Sequence, residues 1–232
     1  MLTAAIALLA IVVGPLPGFL PIHATLGIAA LALACYKALT SKAARIAAAL
    51  GAIECLVRNQ TAAITIVHAC LSPVFFAACV SIGLGGAGGQ PAGGLATSGS
   101  GFRLLVKSAP ALVLLQIILG AAYRHKAIGV MPHMAGAMLV AGLLLAICTI
   151  VLQRFPQPQP LRTAAGALLG IVLLQVSLGI AVFVMRLLDA ETTPAFLPAV
   201  VAHVTVGSLT LAATTALAIR FDSTRTVSRG VS

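Results

Sequence analysis

The sequence has no tryptophan, only two tyrosines and only four acidic residues. Charged residues make up 8% of the 232 residues and hydrophobic residues 60%. A soluble domain is about 25% charged, so this composition excludes an ordinary soluble protein and predicts an integral membrane protein. The apolar runs lack the alternation of a barrel strand, so we expect helical spans. With so few aromatic residues, the aromatic belt at the membrane surface should be weak.

Cysteine is also scarce and carries no motif. None of the five cysteines, at positions 35, 55, 70, 79 and 148, forms a CxxC or CxxCH sequence. This excludes the usual zinc site and covalent c-type heme attachment. We expect these thiols to be free and to pack as small apolar groups.

The net charge of +10 does not indicate a nucleic-acid partner, because the basic residues lie in short loops between apolar runs. That distribution is a topology signal. One side has ten basic residues: Lys37, Lys42, Arg45, Arg103, Lys107, Arg154, Arg162, Arg220, Arg225 and Arg229. The other side has four: Arg58, Arg124, Lys126 and Arg186. We therefore expect a multi-pass protein of the cell membrane with both termini in the cytoplasm.

The apolar runs predict eight transmembrane helices. They are Leu2–Val13, Ile22–Leu39, Ala43–Val57, Ala62–Leu84, Ser108–Tyr123, Met131–Leu152, Leu161–Leu187 and Pro198–Ile219. The first is short for a bilayer span, which needs about 20 residues. The predicted units are a four-helix half at 1–84, a glycine-rich cytoplasmic linker at 85–107, a second half at 108–219 and a cytoplasmic tail at 220–232.

The two halves resemble each other. The second run contains PIHATLGIAALAL and the sixth MPHMAGAMLVAGLLL, while the third and seventh also share a pattern. Four spans return the chain to the same side, so both halves have the same orientation, as in known parallel membrane repeats. The predicted fold is an all-α integral membrane protein built from two pseudo-symmetric four-helix bundles.

Four histidines lie at or near the start of even-numbered spans: His23, His68, His133 and His203. Ionisable residues inside spans are rare and default to functional candidates. Two imidazoles from different helices can ligate the iron of a porphyrin from opposite faces. We pair His23 with His68 and His133 with His203. A glycine follows three of the four by three or four positions and could admit the macrocycle. A buried structural histidine is the alternative for any one residue, and zinc would need three or four ligands together.

His125 is different, because it lies in the loop between Arg124 and Lys126. A solvated loop histidine is the simpler interpretation. The functional alternative is that a neighbouring cation, Arg124 above all, pairs with heme propionates.

Several segments together resemble the heme A synthase family. They are IVHACLSPVFFAACVSI in the fourth span, LLQIILGAAYRH in the fifth, the histidine that opens the sixth, LLQVSLGIAV in the seventh and AHVTVGSLTLAATTALAIR in the eighth. The resemblance implies eight spans in two halves and oxidation of the C8 methyl of heme O to give heme A. By position, it implies that His133 and His203 ligate a resident heme b, and that His23 and His68 hold substrate heme.

The chain departs from that family in its first half. The family has a glutamate three residues before its first histidine, where this chain has Leu20, and many bacterial members have a cysteine pair in a first loop that contains none here. The sequence is therefore compatible with two functions: a heme A synthase-like oxidoreductase, and a non-catalytic membrane heme-binding or electron-transfer protein. A transporter with midplane histidines is a weaker third. The expected partners are heme O, membrane lipid and, further, a heme O synthase, an electron donor or a second copy of the chain.

Overall fold

The computed structural model describes residues 1–13, 18, 20–38, 42–56, 61–85, 99–155 and 159–226. Within these ranges the chain forms eight α-helices and no β-strand. The helices are α1 (Leu2–Val13), α2 (Leu20–Ala38), α3 (Lys42–Leu56), α4 (Ala62–Gly85), α5 (Ser100–Arg124), α6 (Val130–Arg154), α7 (Gln159–Leu187) and α8 (Phe196–Thr226).

The helices are those of an all-α membrane protein. Five contain a stretch long and apolar enough to cross a bilayer: Ala63–Leu84, Ser100–Arg124, Val130–Arg154, Gln159–Leu187 and Phe196–Phe221. The apolar parts of the first three helices are shorter, at Leu2–Val13, Ile22–Lys37 and Ala44–Ile53. Many large apolar side chains on the long helices are exposed in the isolated chain, as expected where lipid replaces water.

Two helix ends differ by more than two residues from the boundaries expected from sequence. α5 begins at Ser100 rather than Ser108, and α8 continues to Thr226 rather than stopping at Ile219. The described part of the expected linker and tail is therefore helical, while residues 86–98 and 227–232 lie outside the described ranges.

An aromatic cluster accounts for the longer helices. The ring of Phe102 in α5 stacks on Phe155, which follows α6, with centroids 6.2 Å apart, and meets Phe221 of α8 edge-on at 5.7 Å. Burying these rings favours continuing α5 and α8 past the apolar runs.

Helix contacts define two rings of four. α1 packs on α2, α2 on α3, α3 on α4 and α4 on α1, and α5 to α8 form a second ring in the same order. The rings join mainly where α4 packs on α8, flanked by contacts of α4 with α5 and of α1 with α8. Exchanging the first four helices for the last four reproduces these contacts, so the two bundles have the same arrangement of helices. In each ring the second and fourth helices stand at opposite corners.

Candidate functional site

The second bundle brings two histidines together across its interior. His133 lies in the first turn of α6 and His203 in the second turn of α8, at opposite corners of the ring. Their ring centroids are 6.4 Å apart and their planes are inclined by 87°. Both side chains are half-buried. The pair expected from sequence is therefore adjacent in the structure.

The first bundle repeats this arrangement. The rings of His23 in α2 and His68 in α4 have centroids 5.9 Å apart and planes inclined by 80°. Nδ1 of His23 lies 2.9 Å from the carbonyl oxygen of Ala10 in α1. A carbonyl oxygen only accepts, so Nδ1 is the protonated nitrogen and Nε2 keeps its lone pair. Nδ1 of His68 is buried and has no hydrogen-bond partner among the described residues.

Both separations fit two imidazoles bound to one iron. A metal–imidazole nitrogen bond is about 2 Å, and the ring centre lies about 1 Å beyond its nitrogen, so coaxial ligands hold their centroids about 6 Å apart. The imidazole planes of such a pair need not be parallel. The donors are two neutral nitrogens per bundle, which suits a porphyrin that already supplies four. Among the described residues, no group of three or more histidine, cysteine or acidic side chains is placed to hold a bare metal ion.

Two glutamines complete the second site, and the sequence interpretation missed them. The side-chain amide of Gln116 in α5 lies with Nε2 2.8 Å from Nδ1 of His133 and donates to the His133 carbonyl oxygen, also at 2.8 Å. Gln175 in α7 occupies the corresponding position beside α8 and packs against Gly207. The sequence contains a signal for both glutamines. The pattern LLQ-x-x-LG occurs once in each of these helices, and a polar amide inside a span needs a partner.

Four glycines make room for these polar groups. A β-carbon at Gly120 would stand 2.9 Å from Cε1 of His133, and one at Gly179 would stand 3.1 Å from Cε1 of His203. A β-carbon at Gly136 would collide with the amide oxygen of Gln116, and one at Gly207 would lie 3.2 Å from Nε2 of Gln175. Gly136 and Gly207 were expected to leave space for a macrocycle. The structure instead fills both positions with glutamine amides, whereas the β-carbon position of Gly27 in the first bundle is open.

Two arginines lie at this end of the second bundle, Arg124 and Arg186. Arg124 ends α5 with an exposed side chain, and the described residues give it no ion pair. Burial, together with the charge of Arg124, lowers the pKa of the loop residue His125 below its usual value. Arg186 of α7 donates from Nη1 to the Tyr123 hydroxyl at 2.9 Å.

Arg186 anchors a small cluster beside His133. Its guanidinium lies 5.1 Å from the centroid of the Tyr123 ring and 5.6 Å from that of Phe196, and its Nε is 3.3 Å from a carboxylate oxygen of Glu191. The Tyr123 ring in turn lies nearly parallel to the His133 ring, with centroids 6.4 Å apart. The loops at this end of the bundle are thus tied to the histidine through Tyr123.

Compared with known proteins, the chain matches no family model, no curated protein and no solved structure.

Proposed function

We propose that this protein is a membrane heme oxidoreductase of the heme A synthase type. It holds a b-type heme between His133 and His203, takes a substrate heme between His23 and His68, and oxidises the C8 methyl of heme O toward heme A. The observation that carries the proposal is the pair of centroid separations, 6.4 Å and 5.9 Å, at equivalent places in two similar bundles. A set of unrelated structural histidines would not produce the same juxtaposition twice.

The residues of each bundle serve distinct tasks in this proposal. In the first bundle, the Ala10 carbonyl fixes the tautomer of His23 and leaves Nε2 free to bind iron. In the second, Gln116 and the glycines beside it hold the imidazole of His133 in one orientation. The surrounding apolar side chains exclude water from both sites. Bound heme supplies the electron-transfer and oxidation chemistry, which protein side chains alone do not provide.

A second function, from a different class, is favoured by one residue. Leu20 stands in the first turn of α2, where the resemblance to heme A synthases leads one to expect a glutamate. Without a carboxylate there, the first bundle would lack a group able to move protons beside substrate. The alternative is a non-catalytic membrane protein that binds heme b or carries electrons through the second bundle.

The charge distribution supports a cell-membrane location with both termini in the cytoplasm, because ten basic residues lie on that side and four on the other. In this orientation all four histidines lie toward the outer leaflet. Converting a methyl to a formyl group removes electrons and adds an oxygen atom, so the reaction also requires an oxidant and an oxygen source that the chain does not itself supply. The proposed partners are an electron donor, a heme O synthase and a second copy of the chain.

Pigment analysis tests the proposal. The full chain is expressed in membranes with and without a heme O source, purified in detergent, and its heme extracted and identified by chromatography. Heme b in the protein and heme A formed only with heme O are the expected results. Heme b without heme A would establish the non-catalytic alternative, and a colourless protein with an intact fold would overturn both.

A further inference from the structure

The amide of Gln116 holds the imidazole of His133 at two points. Nε2 lies 2.8 Å from the ring atom Nδ1 and 2.8 Å from the main-chain oxygen of the same residue. A side chain fixed to both the ring and the backbone of one histidine restricts rotation about both side-chain torsions of that histidine. The amide oxygen Oε1 is buried and has no hydrogen-bond partner among the described residues.

This contact has a consequence for which ring nitrogen carries the proton. In the observed orientation the amide N–H donates to Nδ1, so the ring proton resides on Nε2. A histidine that binds metal through Nε2 needs the opposite tautomer, with Nδ1–H donating to an acceptor. Rotation of the Gln116 amide by about 180° would present Oε1 to Nδ1 and supply that acceptor. It would also end the donation from Nε2 to the main-chain oxygen of His133, because two oxygens that only accept would then face each other and must move apart. The amide can therefore serve either tautomer, provided that it shifts away from the His133 carbonyl oxygen when it accepts from Nδ1–H.

In the first bundle, a backbone carbonyl fixes the tautomer of the histidine. Nδ1 of His23 donates to the Ala10 carbonyl, and a backbone carbonyl cannot be turned into a donor. His23 is thereby committed to the tautomer with Nε2 free, whether or not a ligand is present. His23 therefore keeps one tautomer, whereas the tautomer of His133 can change.

The glycines show that the Gln116 contact is built into the fold. Gly120 admits the His133 ring and Gly136 admits the amide, since a β-carbon at either place would meet these groups at less than contact distance. The same helices have glycines with open β-carbon positions, such as Gly101 and Gly142. The close glycines are therefore those that border the glutamine–histidine pair.

The geometry points to Gln116 as a positioning residue for His133, whose amide donates to Nδ1 when the site is empty and accepts from Nδ1–H when Nε2 binds heme iron. The acceptance from Nδ1–H when heme is bound rests on the proposed function. The donation to Nδ1 in the empty site does not depend on heme. The two can therefore fail separately.

The test compares two substitutions at Gln116 with a control. Gln116→Leu replaces the amide with an apolar side chain of similar bulk and removes the contact. Gln116→Glu supplies a carboxylate, which accepts from Nδ1–H and cannot donate when ionised. Gln153→Leu changes an exposed glutamine near the other end of α6 and should behave as wild type. Each full-length variant is purified in detergent, and its fold is checked by circular dichroism.

Each variant is measured in two states, without heme and after heme is added. In apo protein, the ¹⁵N chemical shifts of the histidine side chains report the tautomer of His133. The signals of His133 are identified as those missing from the spectrum of His133→Gln. After reconstitution with iron protoporphyrin IX, heme affinity, midpoint potential and the low-spin electron paramagnetic resonance signal are recorded. We expect wild-type apo protein to have Nδ1 unprotonated, Gln116→Leu to bind heme about 10–100-fold more weakly, and Gln116→Glu to recover affinity with a lower midpoint potential.

Each outcome decides a separate point. Unchanged ¹⁵N shifts in Gln116→Leu would overturn the positioning contact itself. Changed shifts with heme affinity, potential and resonance signal all equal to wild type would overturn the role in heme ligation. A wild-type protein that binds no heme would contradict the proposed function and the heme half of this inference, while the apo shifts would still decide the contact.

Discussion

The imidazole of His203 rests on Gly179, with its Cε1 atom 3.1 Å from the position that a β-carbon at Gly179 would occupy. The same relationship joins His133 to Gly120 at 2.9 Å. Each ring is thus supported by the bare backbone of the helix that precedes its own in the chain. Because the two histidines sit on opposite corners of the bundle, these two supports set the separation between their rings.

Alanine at either supporting glycine should therefore weaken heme binding. In Gly120→Ala or Gly179→Ala the new methyl must push the ring aside, and overpacking of this kind costs about 1–3 kcal/mol. We expect a loss of low-spin heme in reconstitution titrations of both variants.

Gly170→Ala is the matched control for Gly179→Ala. It lies on the same helix, and a β-carbon there would meet nothing within 4 Å. If the control loses heme as readily as Gly179→Ala, the effect belongs to helix α7 as a whole and not to its contact with His203.

Removal of either histidine of the second pair should abolish the resident heme signal. His133→Ala and His203→Ala each leave an iron with one protein ligand, so we expect the low-spin absorption spectrum to disappear. His125→Ala, which changes a loop histidine outside the pair, should retain it. An unaltered spectrum in both pair variants would rule out these residues as ligands.

The first pair should respond differently. His23→Ala and His68→Ala should leave the heme b of the second bundle in place, because these two imidazoles lie in the first four-helix bundle. We expect both variants to retain the low-spin spectrum and to lose heme A formation in membranes supplied with heme O. Loss of heme b in these variants would mean that the two bundles do not hold their ligands independently.

The sequence was sufficient to predict the eight helices and the pairing of histidines by position, since long apolar runs and rare intramembrane imidazoles are local signals. It did not predict the Gln116 contact or the role of Gly136, because these depend on which helix face α5 turns toward α6. The contact of Arg186 with Tyr123 was also not predicted, for a similar reason. Arg124 and Arg186 both end a helix, and only packing shows that the side chain of Arg186 reaches Tyr123.

The contact between Arg186 and Tyr123 should contribute measurably to stability. Tyr123→Phe removes one hydrogen bond, which costs about 0.5–1.5 kcal/mol. Arg186→Gln also removes two cation–π contacts and the partly exposed ion pair with Glu191, for a total loss of about 2–4 kcal/mol. A double-mutant cycle on thermal unfolding in detergent measures the coupling.

Arg154→Gln provides the control for that cycle, because Arg154 is an exposed arginine near the end of α6. It should change the unfolding temperature little. Additive effects of Tyr123→Phe and Arg186→Gln would show that the hydrogen bond contributes nothing to folding.

The loop histidine His125 should make folding stability depend on pH. Burial and the charge of Arg124 lower its pKa in the folded protein, while the unfolded chain has the ordinary value of about 6.5. The folded state therefore resists protonation, so this contribution to stability is complete above pH of about 6.5 and is lost as the pH falls toward the lower folded value. Thermal unfolding in detergent between about pH 8 and pH 5 should accordingly decline less steeply for His125→Gln than for wild type. Arg124→Gln should also flatten the decline by raising the folded pKa of His125. A steeper decline in either variant would contradict a lowered pKa of His125 in the folded protein.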